Sequence, residues 1–213
     1  MNKKSSIISI SLLAVFMLST ISSASTVDTI VEKIQNKDKE IQNMRGTFLQ
    51  TSYITDLDRV ERYEGEFFVK KPSSMKWTYS KPRDEEITIS GNTTWIYKRS
   101  EKQALRTTFS RDSYGQVPLA LINSLGSLKN DFDIKLIKEN TLELTPKNRM
   151  GFIEKILLET GSGDFPVKTF KIFDTHGNRI LITLKDVRIN PGLEDSFFMF
   201  KAPAGVEVFD FNP

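Results

Sequence analysis

From Gly46 onward the chain alternates apolar and polar residues with period two, in short runs punctuated by Gly, Pro and Asn. Alternation of this kind sends successive side chains to opposite faces of a strand, so every run carries one face that must be buried. Runs fit at Thr47 to Tyr53, Glu61 to Lys70, Met75 to Ser80, Glu86 to Ser90, Thr93 to Lys98 and Lys102 to Phe109. A second series fits at Asp133 to Lys138, Thr141 to Thr145, Ile153 to Glu159, Val167 to Asp174 and Arg179 to Ile189, with Phe197 to Phe200 as a last short strand. A polar loop holds Asp56, Asp58 and Arg59, and Gly91-Asn92 makes a tight turn. Short strands at near-regular spacing predict an antiparallel meander. A sheet of this many strands has to curl or split to bury its faces. The expected class is mainly β with helices (α+β), an open barrel plugged by two helices. A flat two-sheet sandwich is the alternative.

Two segments break the alternation. Val27, Ile30, Val31, Ile34, Ile41 and Met44 recur at helical spacings, with Ser25 and Asp28 as a capping box and Gly46 as the stop. The second helical stretch is Val117, Pro118, Leu119, Ala120, Leu121, Ile122, Asn123, Ser124 and Leu125, with Pro118 suited to a first turn. It is apolar on almost every side, so it should be covered on both sides or lie across an apolar opening.

The first residues predict a secretory signal peptide over residues 1–24. Lys3 and Lys4 precede a mostly apolar run from Ile7 to Ile21, and Ser22-Ser23-Ala24 offers small residues for cleavage. The run is shorter than the ~20 apolar residues of a spanning helix. The mature chain, residues 25–213, suits a single domain. The chain has no cysteine, which excludes a lipid anchor on cysteine, thiol chemistry and cysteine-held metal. Two of the thirty basic residues lie in the signal, leaving 28 against 27 acidic ones. That near-neutral balance gives no electrostatic case for nucleic acid.

Enzyme readings find little support, and no catalytic residue is assigned. His176 is the only histidine and falls in the turn Asp174 to Asn178, so no metal site with two histidines can be built. No phosphate-binding glycine loop or nucleophile elbow occurs, and Gly161-Ser162-Gly163-Asp164 lacks the elbow's spacing. No metal or cofactor is expected. A two-carboxylate hydrolase stays open without positive support.

The informative feature is a set of apolar and aromatic residues on alternating positions: Phe67 with Val69, Met75 with Trp77 and Tyr79, Ile87 with Ile89, Trp95 with Tyr97, and Phe48 beside them. A packed sandwich core would give the same periodicity. The wide, adaptable side chains, which suit a flexible chain, and a second helix that needs a surface to cover, favour a cavity.

Four segments resemble one known family. Val69-Lys70-Lys71-Pro72-Ser73-Ser74-Met75-Lys76-Trp77-Thr78-Tyr79 is similar to the strand–Arg-Pro–strand motif of the LolA family. Gly91-Asn92-Thr93-Thr94-Trp95-Ile96-Tyr97 resembles its next hairpin, Leu142 to Lys147 its mid-chain segment, and Phe200 to Val208 its closing motif. The resemblance implies an unclosed antiparallel β-barrel with an α-helical lid, here formed by Val117, Pro118, Leu119, Leu121, Ile122 and Leu125. It implies a monomeric periplasmic carrier of acylated lipoproteins. The implied partners are an inner-membrane lipoprotein-releasing ABC transporter and, if present, an outer-membrane acceptor. The family usually has Arg where this chain has Lys71, which makes Lys71 the expected lid latch, bonded near the Val117 helix without Arg's planar fork of donors. Met75 stands where the family often carries an aromatic residue. A lipid-sensing regulator of related fold is the alternative function.

Overall fold

The computed structural model describes residues 26–80, 82–109, 121–122 and 125–211. The expected signal peptide, and Val117, Pro118 and Leu119 of the expected lid, lie outside them.

Helix α1 spans Val27–Glu40 and α2 is a single turn at Leu128–Asp131. The strands are β1 (Asn43–Ile54), β2 (Arg59–Lys70), β3 (Ser74–Tyr79), β4 (Glu85–Ser90), β5 (Thr93–Lys98) and β6 (Gln103–Thr108). They continue as β7 (Phe132–Lys138), β8 (Thr141–Pro146), β9 (Ile153–Thr160), β10 (Val167–Asp174), β11 (Arg179–Ile189) and β12 (Glu207–Asp210). All twelve form one sheet in the order β12-β6-β5-β4-β3-β2-β1-β11-β10-β9-β8-β7. The sheet is not closed and is an open barrel rather than a two-sheet sandwich. One apolar cluster gathers side chains from the concave face, from α1 and from Leu121, Ile122, Leu125 and Leu128.

Helix α1 is shorter than its periodicity suggests. Its N-cap is Thr26, whose hydroxyl accepts from the Thr29 amide at 3.2 Å. It stops at Glu40 because Asn190 captures the chain there. The Asn190 amide donates to the Glu40 carbonyl at 2.9 Å, and its Oδ1 accepts from the Gln42 amide at 2.8 Å. Met44, expected on the helix stripe, therefore starts β1, opposite Val69 and Ile189.

Gly46, expected to end the helix, is a strand residue at a register shift against β11. A Cβ there would lie 2.8 Å from the Phe67 ring. Gly65 repeats the arrangement: a Cβ on it would lie 2.9 Å from the Phe48 ring. Phe48 pairs with Gly65 and Phe67 with Gly46 across β1 and β2, so each large ring lies flat over a residue without a side chain.

The C-terminal segment also departs from expectation. Asp195–Phe198 is a 3-10 turn rather than a strand, with Phe198 fully buried. The segment packs on the convex face, Phe197 against Phe68 at 4.8 Å between centroids and Phe200 against Trp95 at 4.9 Å. The chain then adds β12 parallel to β6.

The concave face as candidate functional site

Cross-strand partners place side chains in rows. Phe67 faces Trp77, Trp77 faces Ile87, and Ile87 faces Ile96; one step along, Val69 faces Met75, Met75 faces Ile89, and Ile89 faces Thr94. Phe48, Phe67, Val69, Met75, Trp77, Tyr79, Ile87 and Ile89 are all buried here. They fill the centre of the concave face. Phe48 stacks on Trp77 with centroids 4.1 Å apart, and Phe67 also lies nearly parallel to the indole, at 5.7 Å.

Trp95 and Tyr97, expected in the same lining, lie on the opposite face. The two-residue turn Gly91-Asn92 sets Ser90 against Thr93, so the inward positions of β5 are Thr94 and Ile96. Trp95 and Tyr97 point outward and are half-covered by Phe200.

Leu121, Ile122 and Leu125, each at most 2% exposed, join the same apolar cluster from outside the sheet. Leu121 and Ile122 are helical. One polar contact ties this region to α1. The Gln35 side chain of α1 donates to the Gly126 carbonyl at 2.8 Å. Lys71 does not reach the lid among the described residues. Its Nζ instead donates to the Asp38 carbonyl at 2.5 Å and pairs with the Asp38 carboxylate at 2.7 Å. Asp38 is buried at the end of α1, with its Oδ2 2.8 Å from where a Cβ on Gly126 would stand. The tie therefore runs from Lys71 to α1, and Gln35 of α1 separately holds the Gly126 carbonyl after Leu125. An ammonium suits it, because a single point charge meets a carbonyl and a carboxylate of one residue.

Asp38 was legible: it sits four residues after Ile34 on the apolar stripe, where a charge needs a partner. The other residues that sequence reasoning missed line an opening of about 210 Å³ at the end of the concave face where the β1–β2 hairpin turns. Gln50, Ser52, Tyr63, Tyr79, Arg83 and Ile182 are among them, and of the expected cavity residues Tyr79 alone borders this opening. The Tyr79 hydroxyl donates to Gln50 Oε1 at 3.0 Å, and Gln50 Nε2 donates to Ser52 Oγ at 3.0 Å. Burial pushes the Tyr79 hydroxyl up to about 12, against the pull of the Arg83 cation. The Arg83 guanidinium lies 3.9 Å from the Tyr79 ring centroid and pairs with Glu85 at 2.8 Å. Gln50 and Ser52 share the parity of Phe48 along β1, so polar residues at inward positions were the available signal.

The arrangement is a water-excluding apolar face with a small polar mouth and a separate covering segment. Among the described residues no cluster of three His, Asp or Glu could hold a metal ion. The family model for outer membrane lipoprotein carrier protein LolA matches residues 39–201. The chain belongs to the LolA family. An outer-membrane lipoprotein carrier protein of Yersinia pestis is 31% identical, with 93% of this chain and 97% of that protein covered. One from Serratia proteamaculans is 27% identical over the same shares. Among solved structures, a conserved protein from Thermus thermophilus aligns with a TM-score of 0.53 at 12% identity, over 84% of this chain and 98% of that one, which speaks for the fold alone.

Proposed function

We propose that this LolA-family protein is a periplasmic carrier that shelters the acyl chains of lipoproteins against its concave face and passes them from the inner to the outer membrane. The observation that carries the reading is the covering segment. Leu121, Ile122 and Leu125 complete an apolar face that would otherwise lie open, yet they belong to no strand of the sheet. Acyl burial is worth ~0.8 kcal/mol per methylene, so one long chain represents on the order of 10 kcal/mol exposed to water. A carrier has to recover much of that and still release its cargo.

The mouth of about 210 Å³ falls below the ~300–1,000 Å³ that pockets for drug-sized ligands offer. Cargo therefore enters by displacing the covering segment, and the closed form keeps the apolar face from aggregating. The signal segment directs export and is removed after Ala24. An inner-membrane lipoprotein-releasing ABC transporter supplies the cargo, and an outer-membrane acceptor takes it where one exists. No reaction is assigned to the protein.

The test uses the chain's lack of cysteine. An Ile122→Cys variant carries one thiol, which should react slowly in the free protein and many-fold faster with saturating palmitoylated peptide. Leu121→Asp and Trp77→Asp should abolish that peptide's binding. Wild-type affinity in both folded variants would remove the basis for the reading.

A further inference from the structure

The carrier reading leaves open how a ligand is oriented, and the donors of the mouth bear on this. Gln50 is 6% exposed and Ser52 is 9% exposed. Gln50 Oε1 is used by Tyr79 and one Nε2 hydrogen by Ser52. The second Nε2 hydrogen of Gln50 and the Ser52 hydroxyl hydrogen have no acceptor among the described residues. Two donors at the mouth are thus uncommitted, and an uncommitted buried donor costs stability until an acceptor arrives.

The charges around them are matched. Arg83 is paired with Glu85, and Glu61 holds both Arg59 and, at 2.6 Å, the Tyr63 hydroxyl. Such a site favours a neutral acceptor over an anion. The mouth also grades from polar to apolar along the strands: Ser52 pairs with Ile180, Gln50 with Ile182 and Phe48 with Leu184.

We infer that the mouth is a docking site for an acyl carbonyl: Gln50 and Ser52 donate to the ester or amide oxygen at the head of the chain, while the tail runs inward past Tyr79 and Phe48. This deepens the carrier reading and rests on it. The polar, protein-bearing end of the cargo then stays at the β1–β2 hairpin.

The test compares two fluorescent peptides, one with an O-palmitoyl serine and one with an O-hexadecyl serine. The chains are equal in length and only the first has a carbonyl at the head of its chain. Wild type should bind the ester about tenfold more tightly, the equivalent of ~1.4 kcal/mol. Gln50→Leu and Ser52→Ala should each bring the ratio toward one while ether affinity stays within about twofold. Because each ratio is taken within one variant, general destabilisation does not mimic the result, and Ser52→Ala decides the matter if Gln50→Leu folds poorly. Equal binding of both peptides by wild type, or a preference that survives both substitutions, overturns the carbonyl site and leaves the carrier reading intact. Failure of wild type to bind either peptide overturns the carrier reading itself. Palmitate should bind no better than the ester peptide; tighter binding would point to a carboxylate and overturn the neutral-acceptor assignment.

Discussion

Lys71, at the turn between β2 and β3, holds both the main-chain and side-chain oxygens of Asp38 at the end of α1, at 2.5 and 2.7 Å. The pair joins the sheet to the helix, and Gln35 of the same helix holds the Gly126 carbonyl. Both side chains are substantially buried, 27% and 11% exposed. Removing the ammonium strands a carboxylate with little water to solvate it.

Lys71→Ala should therefore lower stability by about 1–3 kcal/mol, the range for a lost hydrogen bond to a charged group. Asp38→Ala in the same background should add much less than it costs alone, because the stranded charge is gone. Urea unfolding of the two single variants and the double variant gives the coupling. Strictly additive losses would show that the pair does not act as a unit.

The reciprocal packing of rings over glycines gives a second expectation. Gly46→Ala puts a methyl group 2.8 Å from both the Phe67 ring and the Lys185 carbonyl oxygen. The backbone oxygen cannot swing away, so the strand must shift, at a cost of about 1–3 kcal/mol typical of overpacking. Gly91→Ala is the control. Its Cβ would meet nothing within 4 Å, although its φ of +59° still disfavours a side chain. The melting temperature of Gly46→Ala should fall below that of Gly91→Ala, and Phe67→Leu should restore part of the loss at Gly46 only.

The first eleven strands were legible because alternation is a direct record of a half-buried sheet, whereas the strand expected at Phe197 to Phe200 is a 3-10 turn and β12 was missed. The start of β1 was not. Met44 satisfies a helical spacing from α1, and what ends that helix is Asn190, far along the chain. Contacts of that range leave no local mark. The facing of β5 was recoverable from residues alone. A two-residue turn at Gly91-Asn92 sets Ser90 opposite Thr93, which puts Ile96 beside Ile87 and turns Trp95 outward. Large residues on both parities of β5 hid this, since Phe200, another distant residue, gives the outer ones a partner. The polar mouth was overlooked for a related reason. Gln50 and Ser52 interrupt an apolar face, and in a sequence such interruptions resemble ordinary strand-end polarity.

Tyr79 offers a pH test. Its hydroxyl is pushed up to about 12 by burial, from an unfolded value near 10. Between those values the folded protein holds a proton that the unfolded chain has lost. The resulting stabilisation is fully present below pH ~10 and disappears as pH rises through ~12; two units correspond to roughly 2–3 kcal/mol. Tyr79→Phe loses the hydrogen bond to Gln50, about 1 kcal/mol at neutral pH, but also loses this alkaline sensitivity. The difference in unfolding free energy between wild type and Tyr79→Phe should therefore shrink and reverse between about pH 9 and 12. A constant difference would mean that the hydroxyl titrates as it does in water.

The opposite facings of two tryptophans separate stability from binding. Trp77 is 1% exposed on the concave face in contact with Phe48 and Phe67, whereas Trp95 lies on the convex face in contact with Phe200 and Arg106. Truncating a buried aromatic residue costs ~3–5 kcal/mol, and a half-covered one less, on the order of 2 kcal/mol. Trp77→Ala should thus be the more destabilised variant, and as the ring that acyl tails would lie against, it should also lose affinity for palmitoylated peptide. Trp95→Ala should loosen the Phe200 segment, visible as faster amide exchange around residues 195–206, with peptide affinity unchanged. If Trp95→Ala weakened binding as much as Trp77→Ala, cargo would have to contact the convex face, and the separation of a binding face from a strapped outer face would not hold.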